Sequence, residues 1–184
     1  MTDVHTPERR RHNMQSVRGR DTKPEMLIRS GLHARGLRYR LHHRGLPGKP
    51  DLVFPKHRAL ILVHGCFWHG HACPLFKWPK TRQEFWHEKI EGNRTRDRRT
   101  IEALHQAGWR ILIVWECSMR GPKRLVLQDL LNEAEHFVAQ SERTFRSLAG
   151  SEATGGSSEK SSRFSINARP ESICSEKVRK NGTN

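Results

Sequence analysis

Asp51-Leu-Val-Phe-Pro-Lys-His-Arg-Ala59-Leu-Ile-Leu-Val-His64-Gly-Cys66-Phe-Trp-His69-Gly-His71-Ala-Cys73 runs two short apolar stretches straight into a cluster of histidine and cysteine. The stretches, 51–54 and 59–63, are separated by Pro55 and a polar turn, which predicts a β-hairpin. Cys66 and Cys73, with histidine between them, can converge on one Zn2+, because thiolate and imidazole suit its tetrahedral site. A fourth ligand must come from elsewhere. Trp109-Arg-Ile-Leu-Ile-Val-Trp115 is apolar on both faces except at Arg110, as in an interior strand. Cys117 lies just past its end and would come beside the Cys66 turn if the two strands adjoin. Spacing leaves open whether His64, His69 or His71 completes the set. The alternative is that the cysteines are small buried apolar residues, a common fate of free cysteine.

Outward from this segment the helices declare themselves. Thr22-Lys-Pro24-Glu25 is a capping box with proline in the first turn, followed by Met26, Leu27, Ile28 and Leu32 and closed near Gly36. Leu37, Tyr39 and Leu41 alternate with Arg38 and Arg40, a half-buried strand. Residues 45–50 are rich in turn formers. Thr81-Arg-Gln-Glu84 is a second capping box, opening a long basic helix that ends near Gly108. Leu127, Leu130, Leu131, Ala134 and Phe137 recur at helical spacing in a last helix over about 123–139. The expected order is helix, three strands, helix, strand, helix, an α/β domain over 21–140. Residues 141–184 hold ten serines and only six of Leu, Ile, Val and Phe, too few to offset the entropy of ordering, so a disordered tail is expected. Cys174, within it, would be a free thiol.

Of the 184 residues, 34 are Lys or Arg and 19 Asp or Glu, a net charge of +15. The tail accounts for eight of the basic and five of the acidic residues, so +12 belongs to the body. A polyanion is the natural partner, and nucleic acid leads. Arg9, Arg10, Arg11, Arg18 and Arg20 make residues 1–20 a basic arm that would order on phosphates. No stretch approaches the roughly 18 apolar residues of a membrane span, and the N-terminus lacks a secretory apolar core. A cytoplasmic protein is expected.

Three further features bear on chemistry. Imidazoles left over from metal binding, beside a basic surface, suggest acid/base work on a phosphodiester. Asp51 follows Pro50 at the start of one strand while His64 ends the next; its carboxylate would suit Mg2+, although an Asp in that setting is also an ordinary turn residue. Glu25 has the same ambiguity, capping being its simpler role. All five tryptophans lie between 68 and 115. Phe67 and Trp68, inside the His/Cys loop, could wedge between bases, with Phe85 and Trp86 nearby. For Phe85, Trp109 and Trp115 a core position is expected.

Leu46-Pro-Gly-Lys-Pro-Asp51, the run from His64 to Cys73, Thr81-Arg-Gln-Glu-Phe-Trp86-His-Glu-Lys89-Ile and Val114-Trp-Glu-Cys117 together resemble the very-short-patch repair endonucleases, known as Vsr. The resemblance spans about residues 8–140. It implies a restriction-endonuclease-like fold, a mixed sheet flanked by helices with a structural zinc, that nicks the thymine-bearing strand at T:G mispairs left by deamination of 5-methylcytosine. By motif, Asp51 and the main-chain carbonyl of Val63 would hold Mg2+, His69 would be general base or acid, and His64 and Glu25 would assist. The family has threonine where Val63 stands, but every peptide unit offers the carbonyl. Cys66, His71, Cys73 and Cys117 would bind zinc. Phe67, Trp68 and Trp86 would enter the major groove at the mispair and Met14 the minor groove, with Lys89 and Asn93 facing the mispair. The resemblance further implies a monomer acting at the nucleoid, with a mismatch-repair protein as partner. Two alternatives share these residues: a zinc-stabilised DNA-binding module without catalysis, and an HNH-like nuclease with His69 beside a single metal.

Overall fold

A computed structural model describes residues 19–140 and 145–150, together with Thr6, Glu8, Arg9 and His12 of the arm. Met14 and residues 151–184 lie outside the described residues, so the expectations placed on them do too. From residue 19 onward the order is α1 (Lys23–Ala34), β1 (Arg40–Leu41), β2 (Leu52–Phe54), β3 (Ala59–His64), α2 (Gln83–Gln106), β4 (Arg110–Trp115), α3 (Leu127–Ala139) and β5 (Phe145–Leu148). The hairpin forms as its two apolar runs predict: β2 pairs antiparallel with β3, Leu52 opposite Ile61, across a 3-10 turn at Pro55–His57. From β3 the chain crosses through α2 to a parallel β4, and from β4 through α3 to a parallel β5. The sheet order β1-β2-β3-β4-β5 is therefore antiparallel on one side and parallel on the other.

Alternation sorts the sheet's side chains into two cores. Ala59, Ile61, Leu112 and Val114 meet Ile28 and Leu32 of α1 and Leu130, Ala134 and Phe137 of α3. Leu60, Leu62, Ile111 and Ile113 point the other way, with Leu104 of α2. A sheet covered on both faces accounts for strands that are apolar throughout. Arg110, the exception in β4, is buried and fully used. Its guanidinium donates to the carbonyls of Phe137 at 2.6 Å, Val138 at 2.9 Å and His57 at 2.8 Å. Two of these are orphan acceptors at the end of α3, where a cation also suits the helix dipole.

Four expectations need correction. Residues 145–148, assigned to a disordered tail, form β5 on the open edge of β4, with Phe145 packed on one core and Leu148 on the other. The second capping box is not realised: Arg82, in the left-handed region at φ 53°, precedes α2, and no side chain caps it. The strand expected over 37–41 shortens to two residues, and α3 starts at Leu127 rather than near 123. Thr22, by contrast, caps α1 by accepting from the Glu25 N–H at 3.4 Å. Among the described residues no helix is long and apolar enough to cross a membrane.

Candidate active site and metal centre

The hairpin register carries Asp51 to the end of β3, where its Oδ2 accepts a hydrogen bond from the Val63 N–H at 2.7 Å. Burial pushes the Asp51 carboxyl up to about 6 from an ordinary 3.8; the nearby charge of Glu25 adds to the rise, while the Val63 N–H and the imidazoles of His42 and His69 oppose it. Glu25 approaches from α1 and is only 2% exposed. It does more than cap. Its Oε2 accepts from the Asp21 N–H at 2.7 Å and its Oε1 from Arg29 at 3.0 Å. Between the two acids lies His42, absent from the sequence-based site, with Nε2 3.2 Å from Glu25 and Nδ1 3.8 Å from Asp51.

On the other side of Asp51 stand the imidazoles. His64, the last residue of β3, and His69 stack face to face, 3.8 Å between centroids and 4° from parallel. Burial, reinforced by the neighbouring His69, holds the His64 imidazole down at about 3, so it is neutral near pH 7. His69 Nδ1 lies 2.5 Å from Oδ2 of Asp97 on α2. Sequence reasoning missed Asp97, although it continues by one turn the stripe that Lys89 and Asn93 begin. That face of α2 supports the whole loop. The Asn93 amide donates to the Trp68 carbonyl at 2.8 Å, Arg94 donates to the Gly70 carbonyl, and Gly70 sits at φ 59° with Ile90 and Arg94 too close for a Cβ. Asn93, expected to face DNA, is buried, with its amide committed to Trp68.

Cys66, His71, Cys73 and Cys117 each present a ligand atom, all within 4.8 Å of one another. His71 Nδ1 is 3.7 Å from Cys66 Sγ and 3.5 Å from Cys117 Sγ. Tetrahedral zinc, with Zn–S near 2.3 Å and Zn–N near 2.0 Å, sets that separation at about 3.5 Å, so the donor set fits the ion in both chemistry and spacing. Of the three histidines that spacing left open, His71 is the one whose ring nitrogen lies among the cysteine sulfurs. Without a cation, burial drives the Cys66 and Cys117 thiols above their usual range. The bracing comes partly from beyond residue 140: the Gly150 N–H points at Cys117 Sγ at 3.3 Å, and Ser147 of β5 accepts from the Trp115 indole at 2.9 Å, whose ring stacks on His71 at 4.1 Å.

The family model for the DNA mismatch endonuclease Vsr matches residues 2–75. The DNA mismatch endonuclease Vsr of Escherichia coli K12 is 47% identical over 138 residues, 75% of this chain and 88% of that protein. The chain belongs to the Vsr family. Two nicking enzymes of type II systems are also similar: V.XorIIP of Xanthomonas oryzae pv. oryzae, 53% identical over 119 residues, 65% of this chain and 88% of its own length, and V.NmeAIP of Neisseria meningitidis, 37% identical over 132 residues, 72% and 93%.

In this Vsr chain the aromatic residues of the loop and of α2 form one cluster. Phe67 lies 5.3 Å from Trp68 and 5.2 Å from Trp86, and Trp68 lies 6.2 Å from Trp86, all three half-buried. Lys89, a turn beyond Trp86, is exposed. Phe85 is not core as expected: it is 44% exposed beneath the Arg82 guanidinium at 4.4 Å. Trp109 and Trp115 do pack on the core between the sheet and Leu104 of α2.

Proposed function

We propose that this Vsr chain is a DNA nicking endonuclease that cuts the thymine-bearing strand beside a T:G mispair, starting very-short-patch repair. The observation that carries it is the meeting of Asp51 and the His69–Asp97 pair at one strand end, a carboxylate and an oriented imidazole within electrostatic reach of each other. Asp51 and the Val63 carbonyl are hard oxygen donors, the carboxylate partly withdrawn from water with a second acid, Glu25, nearby, which suits a divalent cation. Mg2+ bound there would polarise the scissile phosphate and offset its developing charge. His69 gives its Nδ1 proton to the bond with Asp97, which leaves the Nε2 lone pair free to take a proton from the attacking water. Asp97 fixes that tautomer and stabilises the imidazolium that results. His64 stays neutral against the ring, excluding water from one face, and Glu25 supports Asp51 from α1.

The Cys66, His71, Cys73 and Cys117 site would hold Zn2+ as a closed structural clamp, fixing the turn that carries both the imidazoles and the wedge. Phe67, Trp68 and Trp86 would enter the duplex at the mispair from the major groove, with Met14 approaching the minor groove, because a weakly stacked step is the cheapest to open. Lys89 would contact the DNA beside them and Asn93 would act through Trp68. We assign DNA as the partner of a monomer, with a mismatch-repair protein recruited afterwards. A noncatalytic zinc module would leave the Asp51, His69 and Asp97 arrangement without a task.

A strand-resolved cleavage map on a panel of mispaired duplexes tests this. The expected result is Mg2+-dependent nicking of only the thymine strand at T:G; equal cutting of matched DNA, or no cutting with Mg2+, would overturn it.

A further inference from the structure

The aromatic cluster continues past Trp86. Phe76 lies 6.3 Å from Phe67 and meets Trp78 edge-on at 5.0 Å and 78°. Trp78 in turn lies flat against His87 of α2, 3.8 Å between centroids and 16° from parallel. The rings thus run unbroken from the wedge to an indole that is still 39% exposed after both contacts. A scattered exposed apolar residue needs no explanation. Trp78 is different on three counts. His87 backs its ring, Pro79 restricts its main chain to extended conformations, and Lys77 and Lys80, close to it along the chain, are exposed cations.

We propose that Trp78, backed by His87, is a second stacking platform that receives an unstacked nucleobase of the DNA beside the wedge. The inference rests on the DNA-nicking reading above and extends its contact surface. A flat exposed ring in a stretch of chain that also exposes lysines matches a base attached to its phosphates. In an intact duplex both faces of every base are covered by neighbours, so the ring can take only a base that is already displaced. The wedge supplies that displacement, and the continuous row of rings places the platform next to it.

The test is equilibrium binding of the full chain, without added Mg2+, to T:G duplexes carrying 2-aminopurine at each position flanking the mispair. Trp78→Leu is expected to weaken binding about five- to hundredfold, the range for losing one stacked base. The slope of log affinity against log salt should stay unchanged, because no phosphate contact is lost. One 2-aminopurine position should lose its quenching, and Trp78→Phe should retain most of the affinity and the quench. Should Trp78→Leu lower the melting temperature, Trp78→Phe and His87→Ala carry the comparison, with His87→Ala expected to weaken binding in the same direction. Wild-type affinity and unchanged quenching in Trp78→Leu, or in His87→Ala where Trp78→Leu is destabilised, would overturn the platform. If Phe67→Ala still lost mismatch preference in that case, the nicking reading would stand; if the wild-type chain itself showed no preference for T:G, both would fall.

Discussion

In the proposed mechanism Asp97 sets which nitrogen of His69 acts. Its carboxylate lies 2.5 Å from Nδ1, on the far side of the ring from the nitrogen that would meet water. Asp97→Asn keeps the shape and removes the charge, so we expect the rate of nicking to fall about 10²- to 10⁴-fold while the dissociation constant for T:G duplex stays close to wild type; single-turnover rates and binding isotherms separate the two. Asp51 makes a different demand. Its charge is disfavoured in the fold by burial and by Glu25, so Asp51→Asn should raise the thermal stability of the metal-free protein while stopping cleavage. The sign follows from a folded value of about 6 above the ordinary 3.8. The charge weakens the fold most above about pH 6, and the penalty fades as pH falls through that value and is gone below about 4. The gain in Asp51→Asn should therefore reach at most about 3 kcal/mol at pH 8 and vanish in melts at pH 4. Asp51 was legible because a hairpin register is nearly a calculation: two apolar runs and a short turn place it opposite the end of β3. Asp97 was not. It stands among Arg94, Arg96, Arg98 and Arg99, where an acid has the look of a solvated helix face, and only the fold of the loop onto α2 shows that this face is occupied.

At the scale of elements, β5 is the departure with most consequence. Composition averaged over 141–184 hid a short strand in which Phe145 and Leu148 each pack on a core while β4 supplies the edge. The element does more than extend the sheet. Through Ser147 and Gly150 it braces Trp115 and Cys117, so the Cys/His cluster proposed to hold zinc rests on residues that looked dispensable. At Gly150 an added Cβ would lie 2.6 Å from the Cys117 carbonyl and 2.7 Å from that of Lys123, both backbone atoms that cannot step aside. Gly150→Ala is therefore expected to lower the melting temperature and zinc retention together, with metal content measured after dialysis against a chelator. Full zinc occupancy and an unchanged melt would show that the 145–150 segment is not part of the clamp. The second capping box failed for a related reason: Arg82 stacks on Phe85 and takes a left-handed conformation there, so Thr81 never reaches the cap position. Local motifs held where no neighbouring side chain took the cap position, as at Thr22.

Across the whole molecule, one sheet organises everything. Its parallel half places β3 beside β4, so that His64 and Cys117 end up at the same edge of the layer, and its antiparallel half delivers Asp51 to that edge from the other side. Helix α2 closes the arrangement beneath the loop, and the body's excess of basic residues supplies attraction to phosphates that is independent of sequence. This layering was open to inspection in the chain because strands apolar on both faces demand helices above and below. Asp51, just ahead of β2, and His69, in the loop beyond β3, are proposed to hydrolyse the backbone as one unit. Single-turnover nicking of a T:G duplex by Asp51→Ala, His69→Ala and the double variant tests it most directly. Groups that work together lose their effect together, so the double variant should be about as slow as the worse single one while still binding the duplex. Losses that multiply, or a single variant that cuts at the wild-type rate, would contradict it.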